Sequence, residues 1–512
     1  MKDVSVNGFR SFCSSRNLTQ PLLRGALTSA AGETANGNCG LLPGRRGAQS
    51  AIRGSCGSYL SSKKKASSFQ VLVSISSLCA LLLFAAEGFA RVKLPHTIIR
   101  SMALENGLHV LLVEDHQAPV VNTEVWYHVG SKDEKPGKTG FAHLFEHLMF
   151  DGTRNLGPDE FSSYIVRSGG TDNAYTTEDA TVFWETFPST QLPVALWLEA
   201  DRMRNLDISD STFKNERKVV EEERRQRFDN QPYGSVIETL YAHAFSIHPY
   251  QHMTIGSMDD LDHAKLDEVR AFYDTYYVPA NATLVIVGDF DTGQAEQWVK
   301  QYFGPVQDTG RPIPRDYPVE PLQTTERKIK LNLDVALPAV VEGYHMPADG
   351  TPDAYPLHLA SKILGDGDSS WINRLLVYKK QIALEADSAG NFTEDPNLFF
   401  VLAVLNSGHT PAEAEALMDD LLNRLKSQPV SEKDLDRAKD EILRDFILNR
   451  QGVQNRADEL GYDAVVLKDP DLINTELARF LAVTPEDIQR VAKKYFVPSN
   501  LTEIEVYPMK QK

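Results

Sequence analysis

The chain is poor in cysteine, and the little it has is badly placed for structure. Of 512 residues only four are cysteine, Cys13, Cys39, Cys56 and Cys79, and all precede residue 91. The remaining chain therefore has no disulfide and no thiolate with which to bind a metal, so any metal there must rest on histidine and carboxylate. Basic charge is also scarce where it would matter. Residues 1–90 hold ten lysines and arginines against three acidic residues, a net of +7, so the formal −17 of the whole chain puts −24 on residues 91–512. An acidic body of this kind lacks the basic surface that phosphate binding needs, which excludes nucleic acid as a partner. Long hydrophobic runs are nearly absent. The one substantial run, 69–86, is short and interrupted by serine, and no other stretch reaches membrane-spanning length.

That run follows Lys63-Lys64-Lys65 and precedes Glu87-Gly-Phe-Ala90. A charged start, an apolar centre and small residues at Gly88 and Ala90 predict a signal peptide over 63–90. The chain is then expected to be secreted across an inner membrane, as a periplasmic protein, or to be membrane-anchored if 69–86 is not cleaved. Residues 1–62, rich in Gly, Ser and Arg without periodicity, are expected to be disordered.

What is present is concentrated in Gly140-Phe-Ala-His-Leu-Phe-Glu-His-Leu-Met-Phe150. On a helix, His143 and His147 leave the same face one turn apart, a spacing that lets two imidazoles hold one Zn²⁺. Glu146 projects from the same turn, placed to take a proton from a water at the metal rather than to bind it. The order His-x-x-Glu-His is that of the inverzincins. Leu144, Phe145, Leu148, Met149 and Phe150 make this helix apolar enough to be buried, and buried imidazoles and carboxylates need partners.

A zinc held by two histidines still needs a third protein ligand. Downstream, Phe213-Lys-Asn-Glu-Arg-Lys-Val-Val-Glu-Glu-Glu-Arg-Arg225 predicts a helix from about Ser211 to Phe228. Glu216, Val220 and Glu223 form one stripe of it, and a carboxylate from this neighbouring helix is the natural donor. Upstream, Thr97–Val113 reads as two strands joined through Glu105-Asn-Gly107, Val120–Val129 as a strand, Leu192–Asn205 as an amphipathic helix.

The combination of His143-Leu-Phe-Glu-His147, Gly170-Thr-Asp-Asn-Ala-Tyr-Thr176 and Glu216-Arg-Lys-Val-Val-Glu-Glu-Glu223 resembles the pitrilysin family, which includes insulin-degrading enzyme and the mitochondrial processing peptidase. The bacterial two-subunit peptidases are the nearest match. The likeness extends from about residue 95 to 510. It implies Glu223, 76 residues after His147, as third zinc ligand, with one Zn²⁺ per chain, and Glu216, seven residues before Glu223, as a catalytic-site carboxylate in the outer sphere. It implies a zinc endopeptidase acting on extended peptides or small unfolded proteins in a closed chamber. The strand around Asn173, Ala174 and Tyr175 would take the substrate by β-augmentation.

An internal repeat supports two α+β domains, each a mixed sheet flanked by helices. Leu266-Asp-Glu-Val-Arg-Ala-Phe-Tyr-Asp-Thr-Tyr-Tyr-Val-Pro-Ala-Asn281 matches Pro485-Glu-Asp-Ile-Gln-Arg-Val-Ala-Lys-Lys-Tyr-Phe-Val-Pro-Ser-Asn500 at an offset of 219. The expected organisation is a zinc-bearing domain at 91–304, a linker at 305–324 and a metal-free domain at 325–512. In catalytically complete family members the C-terminal domain adds an Arg and, seven residues on, a Tyr that hold the substrate. Here Val377 and Leu384 fall at those places, with Arg374 and Tyr378 nearby but out of register. The resemblance then implies a heterodimer with a homologous subunit that lacks His-x-x-Glu-His and supplies the Arg and Tyr. A non-catalytic assembly or scaffold subunit that retains zinc is the alternative.

Overall fold

The computed structural model describes residues 95–158 and 160–509. The expected extension at 1–62 and signal segment at 63–90 lie outside the described residues. Alternating apolar residues, rich in Val, Ile and aromatics, form six strands in the first half. These are β1 (Arg100–Ala103), β2 (His109–Glu114), β3 (Val120–Tyr127), β4 (Thr171–Thr176), β5 (Thr181–Pro188) and β6 (Ala282–Gly288). They lie in the order β1-β2-β6-β3-β5-β4, so β4 is an edge strand. The second half forms β7 (Arg327–Leu333), β8 (Ala339–Met346), β9 (Ala383–Gly390), β10 (Asn397–Leu405) and β11 (Leu501–Pro508), in the order β7-β11-β8-β10-β9. In each sheet one parallel pair, β2 with β6 and β7 with β11, adjoins an antiparallel set.

The repeat seen in the sequence is therefore a repeat of structure. β3 and β8 start 219 residues apart, as do the helices Leu266–Tyr276 and Pro485–Tyr495 and the short turns Pro279–Asn281 and Pro498–Asn500. The asparagine of each Val-Pro-x-Asn does the same work twice. The Asn281 amide donates to the carbonyls of Tyr276 (2.8 Å) and His128 (3.1 Å), and that of Asn500 to those of Tyr495 (2.8 Å) and His345 (2.8 Å). Each thus satisfies a carbonyl near a helix end and ties the next strand to its neighbour.

One face of the first sheet is covered by its own helices, Phe141–Leu148 and Leu192–Asn205 among them. The opposite face is covered by a helix from the second half, Val453–Val465, packed on β3 and β6 through Trp126, Val285, Val287, Ala457 and Leu460. Its fit is close: a Cβ on Gly461 would lie 2.1 Å from Trp126 Nε1. The exchange is reciprocal, since the first-half helix Gly234–Ala244 packs on β8 and β11. Polar groups also cross the junction. The Lys132 ammonium, with its side chain 1% exposed, reaches Asp179 at 2.8 Å and, from the second half, Glu394 at 2.5 Å and Asp395 at 3.4 Å. The irregular stretch between the halves is held in the same place, Arg315 pairing with Asp133 at 2.9 Å and the Tyr317 hydroxyl donating to Asp133 at 2.5 Å.

Candidate active site

The helix Phe141–Leu148 is set by its start. Gly140 adopts φ +91°, and a Cβ there would press 2.7 Å from the Ile255 carbonyl. The Glu134 carboxylate accepts the N–H groups of Gly140 and Ala142, both at 2.8 Å, filling orphan donors where the helix dipole favours negative charge. Phe141, Leu144, Phe145 and Leu148 are buried, and the Phe145 ring packs on Phe272, Tyr273 and Tyr277. This anchors one side of the helix and turns His143 and His147 outward together, ring centroids 4.9 Å apart.

Opposite them runs the helix Asp210–Arg224, capped by Ser209, whose side chain accepts from Thr212 N. Val220 is fully buried between two half-buried carboxylates of the same stripe, Glu216 and Glu223. Glu223 Oε2 lies 3.2 Å from His147 Nε2 and 3.7 Å from His143 Nε2. Glu216 Oε2 lies 3.4 Å from the other ring nitrogen of His147, Nδ1. The helix ends at Arg224, short of the expected Phe228, in a wide turn over Arg225–Asp229, and Arg227 pairs with Glu223 Oε1 at 2.7 Å. The neighbouring acids point elsewhere: Glu221 pairs with Arg217 and Arg225, and the exposed Glu222 accepts from Gln226 and Arg225.

The arrangement fits a zinc ion. One nitrogen or oxygen from each of His143, His147 and Glu223 lies within 4.8 Å of the others. Ligands at about 2.0–2.1 Å from a tetrahedral metal stand about 3.3 Å apart, a value that the two measured separations, 3.2 and 3.7 Å, bracket. The charges agree. Burial lowers the affinity of His143 for a proton. Burial opposes a charge on His147 as well, but Glu216 and Glu223 outweigh it and raise the imidazole to about 9. Glu223, despite burial, is held down at about 2 by His147, His143 and Arg227. A set of one ionised carboxylate and two imidazoles that draws positive charge to its centre suits a divalent cation.

Glu146 stands beside this group. Thr176, the last residue of β4, donates its hydroxyl to Glu146 Oε2 at 2.8 Å. Along β4 the side chains alternate between faces. Ala174 joins the core that includes the His-bearing helix, and Tyr175 lies on the opposite face against Trp126. Asn173, two residues before Tyr175, shares its face and is half-buried. Arg374 and Tyr378 are exposed on a turn of the second half, Asn373–Lys379, and line a surface groove with Trp371, Leu375, Leu421 and Arg424. Val377 on that turn is half-buried and Leu384 on β9 is exposed. Sequence reasoning assigned no role to Thr176, Glu134 or Arg227. The only signal for Glu134 was an acid just ahead of a predicted helix start.

Residues 109–257 match the model of the Insulinase (Peptidase family M16) family, and residues 263–442 that of the Peptidase M16 inactive domain. The chain is 34% identical over 414 residues to the zinc protease PqqE of Helicobacter pylori, covering 80% of this chain and 92% of that one. The crystal structure of a protease from Helicobacter pylori superposes with a TM-score of 0.78 at 33% identity, over 81% of this chain and 100% of the other. The first half of the periplasmic protease PqqL from Escherichia coli, at 19% identity, shares the fold with a TM-score of 0.65 over 81% of this chain and 93% of that one. Family models on both halves, a relative at this identity and a matching metal-binding constellation lead to one assignment: the chain belongs to the M16, insulinase-type family of zinc peptidases.

Proposed function

We propose that the chain is the metal-bearing, catalytic member of a two-chain endopeptidase that acts on extended peptides. The observation that carries this reading is the convergence of His143 Nε2, His147 Nε2 and Glu223 Oε2, with Glu146 adjacent. In it, His143, His147 and Glu223 hold one zinc, and Glu216 fixes the His147 ring through Nδ1, the outer contact that ligating histidines need. When bound, the zinc supplies a Lewis acid for the scissile carbonyl and for the attacking water. Glu146 keeps one carboxylate oxygen on the Thr176 hydroxyl and uses the other to accept the water's proton, then returns it to the leaving amine. The free edge of β4, with Asn173, Ala174 and Tyr175, takes the peptide as an added strand.

In the same reading, 91–304 is the catalytic domain, 305–324 the connector and 325–512 a metal-free domain. Arg374 and Tyr378 sit in a groove of the second half, and Val377 and Leu384 offer a bound peptide no side-chain hydrogen bond. A second, different chain of this fold, lacking His-x-x-Glu-His, would supply the clamp and close the chamber. Export to the periplasm is supported by the basic and apolar segment at 63–90 and by the naming of the structural relative PqqL as periplasmic. Among the described residues no helix is long and apolar enough to cross a membrane.

The test uses the zinc-loaded chain, alone and with its partner isolated from the native complex. Cleavage of a generic peptide should be slow alone and rise when the partner is added. Glu146→Gln should retain the metal and lose about 10²–10⁴-fold in rate. Efficient cleavage by the chain alone would refute the division of labour, and near-wild-type cleavage by the Glu146 variant would refute the chemistry.

A further inference from the structure

The edge strand β4 has a ladder on one side only, with β5, over six residues. A strand so held keeps its place in the sheet yet can twist at its free edge. Its end is nevertheless gripped on both faces. On the face of the His-bearing helix, Thr176 holds Glu146. On the other face, Tyr175 donates its hydroxyl to Asp458 Oδ1, and Asp458 belongs to the second-half helix Val453–Val465. The Tyr175 ring is further fixed edge-on to Trp126, at 6.1 Å and 87°. Trp126 donates to Glu124 at 2.9 Å and leaves Gly461 of the same helix no room for a side chain. A second tie, Arg456 to Asp115 at 2.5 Å, holds that helix on the first half.

We propose that Asp458 is a positioning residue for peptide binding: by holding Tyr175 from the second half, it fixes the free edge of β4 and, through Thr176, the Glu146 carboxylate. The inference rests on the reading of β4 as the strand that receives the substrate. A peptide added to an edge gains affinity from several backbone hydrogen bonds at once, so it binds well only if the edge is already in its bound geometry. Loss of the Asp458 anchor leaves the β4–β5 ladder intact, so the strand keeps its place while its edge loosens, and the accompanying cost in stability is read separately from the melting temperature.

The experiment measures binding without turnover. In the full-length Glu146→Gln protein, the dissociation constant of a fluorescent unstructured peptide is read by anisotropy, with zinc content and melting temperature followed in every variant. Asp458→Ala should weaken binding about tenfold, the effect of losing one hydrogen bond to a charged group. Tyr175→Phe should match it, and the double variant should be no worse than either single one. Asp458→Asn, whose amide oxygen can still accept the tyrosine hydroxyl, should restore binding to within about threefold of the parent. If Asp458→Ala fails to fold, Tyr175→Phe, which removes one hydroxyl, carries the test. Unchanged affinity in these variants, or additive losses in the double variant, would overturn the proposal. Failure of the parent to bind any peptide, alone and with the partner chain added, would instead sink the reading of β4 itself, and the role of Asp458 with it.

Discussion

Replacing Lys132 with methionine tests how the two halves are joined. The lysine reaches carboxylates on both halves, Asp179 at 2.8 Å and Glu394 at 2.5 Å, with Asp395 at 3.4 Å. At an effective dielectric of 20, each of the two close pairs is worth about 6–7 kcal/mol before desolvation. Withdrawing the buried ammonium from water offsets much of this, and removal of one member of such a set costs about 3–5 kcal/mol because the others stay buried without it. Burial pulls the ammonium down, yet Asp179 and Glu394 raise it well above the ordinary lysine range. Burial likewise opposes ionisation of Glu394, but His128 and Lys132 hold it well below the ordinary carboxylate range. In the parent, then, the stability from Glu394 is fully present above its unfolded value of about 4.3 and is lost only as pH falls below that. In Lys132→Met, Glu394 loses one of the cations that hold it down but keeps His128 and Lys468, both at 2.7 Å, so it stays ionised over this range and the deficit does not grow as pH falls from 8 to 5. Urea unfolding followed by tryptophan fluorescence, from pH 5 to 8, reads this directly. Trp126 reports on the junction, since it packs against Val453–Val465. A loss below about 1 kcal/mol at pH 7, the scale of an exposed pair, or a loss that grows as pH falls, would refute the reasoning.

Two further substitutions probe the metal and the packing. Glu223→Gln should abolish tight zinc binding, measured by metal analysis after dialysis, whereas Glu222→Gln should not, because Glu222 faces Gln226 and Arg225; full zinc retention in the Glu223 variant would remove it from the ligand set. Gly461→Ala forces a methyl to within 2.1 Å of Trp126 Nε1. The strain should lower stability by about 1–3 kcal/mol, and an unchanged melting temperature would show that the helix can shift freely.

Much of the architecture is legible in the sequence. The apolar period over Leu192–Asn205 matches the observed helix, and the repeat at Val-Pro-x-Asn located two equivalent helix–strand corners. The stripe of Glu216, Val220 and Glu223 placed both acids on one face but could not divide their roles; the family-like spacing did, and in space Glu223 meets both Nε2 atoms while Glu216 meets Nδ1. Contacts between residues far apart in the chain were out of reach. The Thr176 hydroxyl on Glu146 depends on where an edge strand ends relative to a helix 30 residues earlier. Nothing local in Asp458 announces Tyr175, 283 positions away. Periodicity shows that an element has a buried face; it does not say which surface covers it.

The traded helices have a consequence for any attempt to make half of this protein. Cutting the chain between Phe303 and Arg327 leaves each sheet with one apolar face bare, while the helix that should cover it remains on the other fragment. The fragments should reassociate when mixed rather than persist apart. A gene encoding a single half would yield a product that must swap this helix with a second copy of itself, a two-fold dimer. Joining two such genes head to tail turns that dimer into one polypeptide, after which one copy is free to lose the metal while continuing to roof the other.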